Sequence, residues 1–173
     1  YSAARTRFPD ANVWVIKQAA LAMGKGDREA GIARLKGWLD KHPDDAQVRF
    51  WLANSYLLAG QEAPARAAFE LLLKRMPGNT IVLNNLAWLL REKDPVRALD
   101  YAQQAYKLRP KDPEVLDTLG YLLAQQGQAQ RGLKLLDQAL QARPQNPSVR
   151  YHRALALYHS GDKSRARVEL SAL

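Results

Sequence analysis

Apolar residues recur along this chain at helical spacing, in short stretches, each broken by glycine or proline. The clearest stretch follows Asp112 as PEVLDTLGYLLAQQGQAQRGLKLLDQALQARPQN. Within it Leu116, Leu119 and Leu123 recur at i, i+3 and i+7, which places them on one helical face. Gly127 supplies the break, as Gly26, Gly60 and Gly161 do elsewhere, because glycine tolerates the left-handed conformation that ends a helix. The second helix then carries Leu133, Leu136 and Leu140 on its expected buried face. It ends ahead of Pro144, whose ring disfavours a helical residue before it. The pattern predicts an all-α chain built from pairs of amphipathic helices.

The pairs repeat. Pro9, Pro43, Pro77, Pro110 and Pro144 are spaced 34, 34, 33 and 34 residues apart. A small residue keeps the same period as Ala19, Ala53, Ala87, Gly120 and Ala154, and a second series runs Gly31, Ala65, Ala98, Gly132 and Ala166. Self-similarity at a fixed period of this length marks a solenoid. The small residues have a packing role, since two helices of a hairpin approach closely only where a side chain is Gly or Ala. The repeats fall at 12–45, 46–79, 80–112, 113–146 and, in part, 147–173, within one array over 1–173. Residues 1–11 match the tail of an earlier unit, and the chain stops inside the second helix of the fifth. A solenoid needs polar caps at both ends, so the expectation is a piece of a longer chain, with oligomerisation through the uncapped ends open to it. The third unit is one residue short, between Ala87 and Ala98; there Asp94-Pro95 predicts an N-cap followed by proline in the first helical position.

These residues resemble the tetratricopeptide-repeat (TPR) family: a unit of about 34 residues, a Leu…Leu-Gly…Leu first helix, an Ala-led second helix and a closing proline. The resemblance covers essentially the whole chain. It implies a right-handed superhelical solenoid of antiparallel helix pairs, with first helices lining a concave groove where a partner lies. Carried over by position, the groove candidates are Phe50, Trp51 and Asn54 in the second repeat and Asn84, Asn85 and Trp88 in the third. Asp117 and Tyr121 follow in the fourth, and Tyr151 and Tyr158 in the fifth. Other positions on the same stripe include Ile16, Arg91, Thr118, His152 and His159. The aromatic residues supply large contact areas and the asparagines paired donors and acceptors. Trp14 and Trp38 fall off the stripe and are expected to pack between repeats.

Composition narrows the function. The net charge of +9 is spread thinly, running +1, +2, +2, 0 and +3 over the five repeats with +1 from residues 1–11. Most of it sits on second helices and turns (Arg34, Lys36, Lys74, Lys107, Lys134 and Arg143 among them), which form the outer wall in this architecture. A nucleic-acid site needs basic residues concentrated along a groove and interleaved with aromatics, so no nucleic-acid partner is expected. There is no cysteine, which removes disulfides, thiolate metal sites and a cysteine nucleophile. No apolar run approaches the ~18–20 residues that cross a bilayer, so no direct membrane insertion is expected.

No catalytic constellation, metal site or cofactor is expected either. His152 and His159 lie seven residues apart, roughly 10 Å along a helix axis, too far to share an ion. His42 sits in a turn, and Asp44 and Asp45 suit helix capping better than acid–base work. One TPR subtype, the carboxylate clamp that grips acidic C-terminal tails, does not fit. Asn54 and Asn85 stand at the clamp's asparagine positions, but Phe50, Glu114 and Thr118 stand where it is basic.

The reading is therefore a non-catalytic scaffold that binds a peptide or protein segment in its groove. Two alternatives remain: a substrate-presenting repeat region of a larger enzyme such as a glycosyltransferase, and direct polysaccharide binding. The run from Asn84 to Gln128, with the later ALALYHSGDKSRARVEL, resembles bacterial TPR lipoproteins of exosortase (PEP-CTERM) sorting and exopolysaccharide systems. That resemblance implies a lipid-anchored parent in the periplasm or at the outer membrane of a Gram-negative bacterium, with the cytoplasm as the other setting.

Overall fold

The computed structural model describes residues 11–173, so the expected tail of a preceding repeat, with Pro9, lies outside the described residues apart from Ala11. Ten α-helices and no strands make up the described residues. They group into two compact units that meet in sequence at Pro77–Gly78. The first unit holds α1 (Ala11–Gly24), α2 (Arg28–Lys41), α3 (Ala46–Leu58) and α4 (Glu62–Arg75). The second holds α5 (Thr80–Leu90), α6 (Pro95–Leu108), α7 (Pro113–Gln125), α8 (Ala129–Ala142), α9 (Pro147–His159) and α10 (Lys163–Ser171).

Local sequence sets these boundaries. Asp45, Asn79, Asp112 and Asn146, each two residues after a periodic proline, accept backbone N–H bonds of the helix that follows, at 3.0–3.2 Å. One short segment thus ends a second helix and caps the next first helix. Gly26, Gly60, Gly127 and Gly161 have φ between 71° and 91° and close the first helices of four repeats. The third repeat has no such glycine. Its first helix, α5, is cut to 11 residues, and Asp94 caps α6 with Pro95 in its first turn, as the sequence predicts.

All ten members of the two small-residue series are buried, and in the first and fourth repeats they meet across the hairpin. In the fourth repeat both are glycine, and the backbones nearly touch. A Cβ built on Gly132 would lie 2.4 Å from the Gly120 carbonyl oxygen, and one on Gly120 would lie 2.9 Å from that of Gly132. In the first repeat a Cβ on Gly31 would meet the Ala19 carbonyl at 2.9 Å. Leucines fill the remaining space. Leu116, Leu119 and Leu123 are buried as expected, but on α8 the buried stripe is Ala129, Gly132, Leu136 and Ala139. Leu133 and Leu140 sit only at its edge, because the close approach of α7 leaves room for small residues on the line where a leucine stripe was expected.

Within the second unit the layers are plain. First helices touch one another, α5 with α7 and α7 with α9, whereas the second helices α6, α8 and α10 touch only first helices. The first-helix side is therefore the tighter, inner side of that unit. Arg153 of α9 locks the last hairpins, donating to Asp137 of α8 at 2.6 Å and to Glu169 of α10 at 2.5 Å. Burial disfavours its charge, but the hydrogen bond to Asp137 and the attraction of both carboxylates outweigh burial and hold its pKa above the usual arginine value. In the first unit Arg75 pairs with Asp44, and Trp38 packs on the core while its Nε1 donates to Asp45 at 2.9 Å. Trp14 departs from expectation: it is 64% exposed, with Lys17 poised over its ring. The core that α1 shares with α2 and α3 is built from Ile16 and Ala19, with Val15 and Met23 beside them.

The glycine geometry gives a paired prediction. Gly132→Ala is expected to lower stability by roughly 1–3 kcal/mol, because the new methyl meets backbone that cannot yield. Gly37→Ala, in an open and exposed position of α2, is expected to raise it by about 0.5–1 kcal/mol through helix propensity. Urea unfolding of the two variants beside the parent checks both signs.

Candidate functional site

The inner side of the second unit carries a cluster of rings drawn from three successive first helices. Trp88 ends α5, Tyr121 lies mid-α7, and Tyr151 and His152 lie on α9. Their positions follow from the hairpin contact. Ala87 and Gly120 face their second helices, so the next residue along, about 100° around the helix, turns toward the neighbouring first helix. Trp88 and Tyr121 are those next residues. Their ring centroids are 5.4 Å apart, His152 is 4.6 Å from Tyr121 and 5.4 Å from Trp88, and Tyr151 is 5.9 Å from His152. All four contacts are tilted, the arrangement that ring quadrupoles favour over face-to-face stacking. Arg91 lies over the Trp88 ring, 4.5 Å from its centroid, anchored by its Nη1 donating to the Trp88 carbonyl at 2.8 Å.

His152 is the hub. It is 8% exposed, and its Nδ1 meets Asp117 Oδ1 of α7 at 2.8 Å. Asp117 therefore spends one carboxylate oxygen on fastening α9 to α7. The sequence places His152 on the inner stripe but gives it no part in the expected contact set. The signal that could have found it is repeat arithmetic: Asn12 and Gln47 are hydrogen-bonded at the same 35-residue separation, a spacing that joins equivalent faces of successive first helices.

The predicted contact residues divide into four groups. Trp88, Asp117, Tyr121 and Tyr151 are brought together, with Tyr151 46% exposed at the edge of the cluster. Asn84 and Asn85 are half-buried on α5, and Asn84 Oδ1 is fully buried with no donor among the described residues. Tyr158, 54% exposed, stands apart from the cluster, its ring beside His159 and under Lys163. In the first unit Trp51 is exposed, while Phe50 is half-buried, edge-on to Phe69 at 6.2 Å. Asn54 gives its amide to the Phe50 carbonyl at 2.8 Å, which ties that donor to its own helix. Two stripe positions belong to the packing instead: Ile16 and Thr118 are buried, because both turn toward a neighbouring helix. No group of three or more metal-ligating side chains occurs among the described residues.

The Asp117–His152 bond predicts strong coupling. Each single replacement, Asp117→Ala or His152→Ala, strands a largely buried polar partner and is expected to cost about 1–3 kcal/mol. The double replacement is expected to cost clearly less than the sum. A double-mutant cycle by chemical unfolding measures the difference; strict additivity would show that the contact is energetically idle.

Comparison with known proteins agrees with the fold. The chain is 27% identical over 145 residues to the TPR repeat-containing protein PA4667 of Pseudomonas aeruginosa, covering 82% of this chain but only 24% of that relative. Among solved structures it is similar to MamA residues 41-end from Desulfovibrio magneticus RS-1, at TM-score 0.77 and 17% identity over 94% of this chain and 93% of that one. It is also similar to TTC0263, a thermophilic TPR protein of Thermus thermophilus, at 0.73 and 20% over 94% and 89%. A third, YrrB, described as a TPR protein with an unusual peptide-binding site, matches at 0.71 and 20% over 98% and 88%. At these identities the structures establish the fold alone. The tetratricopeptide repeat model itself matches residues 22–88 and 123–173, and the chain belongs to the tetratricopeptide repeat family.

Proposed function

We propose that this chain is a non-catalytic scaffold that holds a peptide or protein segment against the first-helix side of its second unit. The observation that carries the reading is the ring cluster of Trp88, Tyr121 and His152. It is pinned by Asp117 and Arg91 and opens to solvent at Tyr151. Rigid aromatic anchors lose little side-chain entropy on binding, and such residues dominate interface energetics. Asn84 and Asn85, both half-buried on α5, are proposed to supply amide contacts beside the cluster. Tyr158, and on the first unit Phe50, Trp51 and Asn54, are further proposed contacts. The peptide-binding site ascribed to YrrB supports the reading by analogy of fold.

The finer setting is the envelope of a Gram-negative bacterium, in protein sorting or polymer secretion. Its support is the resemblance of residues 84–128 to the TPR lipoproteins of those systems. No described helix is long and apolar enough to cross a membrane, so attachment there would rest on a lipid anchor carried elsewhere in the parent. A lipid-attachment cysteine near the start of the full gene is the expected finding.

Capture of a partner from native envelope extract tests the site. Trp88→Ala with Tyr121→Ala is expected to abolish capture while helical circular dichroism stays largely intact. Tyr151→Ala, at an exposed position, is expected to weaken it without moving the unfolding midpoint. Capture that survives all three replacements removes the inner face as the site.

A further inference from the structure

On the opposite side of the second unit lies a cleft of about 630 Å³, set between α6 and α8 with α7 as its floor. It exists because α6 and α8 both pack on α7 but do not touch each other. Leu119 and Leu123 form the base, and half-buried Tyr106 and Leu135 form the walls. Lys107, Arg131 and Lys134 stand at the rim, together with Gln103 and Gln138, and no carboxylate lines the cleft. The three cations are exposed. Lys107 and Lys134 form no ion pair with any described residue, and Arg131 is held only by the Gln128 side chain at 2.5 Å. Nearby carboxylates are engaged elsewhere: Asp137 binds Arg153, and Asp100 accepts from Gln104.

Comparison among the repeats shows that the fold does not demand this chemistry. The position of Lys134, two residues after the small residue of the second helix, is Ala33, Ala67, Asp100 and Val168 in the other repeats. The position of Arg131 is Ala30, Pro64, Arg97 and Arg165. Tyr106, four residues before the closing proline, stands where the other repeats have Leu39, Leu73 and Leu140. The fourth repeat is neutral overall, yet its second helix presents two cations to one cleft and directs its acid, Asp137, to α9.

We propose that this outer cleft docks a short acidic peptide segment carrying one bulky apolar side chain. The apolar base has room for a single anchor, and the rim offers three cations to carboxylates on either side of it. The glutamine amides can pair with an extended backbone. A small apolar base ringed by peptide-bonding amides favours a peptide over the long acyl chain of an anionic lipid. The site is separate from the ring cluster on the inner side and works by charge complementarity, so its affinity is salt-sensitive.

The test uses the protein with a dye-labelled synthetic peptide of glutamates flanking one phenylalanine, read by fluorescence anisotropy. Saturable binding is expected. It should weaken by about tenfold or more in Lys107→Glu/Lys134→Glu, and comparably when NaCl rises from about 0.1 to about 0.5 M. Both lysines are exposed, so an unchanged unfolding midpoint confirms that the variant is folded. Trp88→Ala is expected to leave this binding unchanged, as is Lys36→Glu/Lys74→Glu on the outer surface of the first unit. Four results overturn the proposal: no saturation at about 1 mM peptide, equal loss in the Lys36/Lys74 control, undiminished affinity with glycine replacing the phenylalanine, or capture by phosphatidylglycerol vesicles but not by the peptide.

Discussion

The rest of the structure depends on one steric constraint: each repeat pairs two helices that both carry a buried small residue, and in the first and fourth repeats the helices meet at that pair. Where both are glycine, at Gly120 and Gly132, the carbonyl of one helix occupies the space that a side chain of the other would need. Elsewhere Ala53, Ala65, Ala87 and Ala98, members of the same two series, have no exposed surface. The crossing fixes the rotation of each helix about its own axis, because only one residue per helix fits at the closest point. Once that rotation is set, leucines at three- and four-residue steps fall between helices and the remaining positions fall outward.

The proposed site inherits that geometry. The residue after the small one on a first helix is turned by about 100°, toward the adjoining first helix. In the third and fourth repeats that residue is Trp88 and Tyr121, and their rings meet. In the fifth it is Leu155, and His152 supplies the ring instead, held at its place by Asp117. Fixing the aromatic rings before a partner arrives lowers the ordering cost of binding. The same economy reduces what a partner can use: Asp117 and the Asn54 amide serve the scaffold, while Tyr151, Tyr158 and Trp51 remain open to contact.

Period and helix order were legible because they arise from local rules repeated five times. A glycine that ends a first helix and a proline–Asx pair that ends one helix and caps the next need no tertiary information. The shortened α5 followed by Asp94-Pro95 is an instance. What the sequence hid was the depth of each outward position. Ile16 and Thr118 lie on the same stripe as Trp88 but are covered by a neighbouring helix, whereas Trp14, expected to pack, is left in solvent. Leu133 and Leu140 look like a core stripe by spacing, yet the narrow crossing at Gly132 moves the buried line onto small residues. Burial at these positions depends on the rotation and offset between helices far apart in sequence, to which periodicity is blind.

A repeat protein supplies its own internal reference, and that reference separates surfaces held by folding from surfaces free to specialise. The crossing positions are Gly or Ala in all five repeats because nothing larger fits. The outward columns carry no such restraint, and there the repeats diverge: Asn54, Trp88, Tyr121 and Leu155 share one column, and Ala33, Ala67, Asp100, Lys134 and Val168 another. The first column supplies Trp88 and Tyr121 to the inner ring cluster, and the second supplies Lys134 to the basic rim of the outer cleft. Because stability in such arrays is set by each repeat and its contacts with its neighbours, changes in outward columns leave the hairpin crossings intact. One architecture can therefore present unlike chemistry on its two sides, aromatic and amide on one and cationic around a small apolar base on the other.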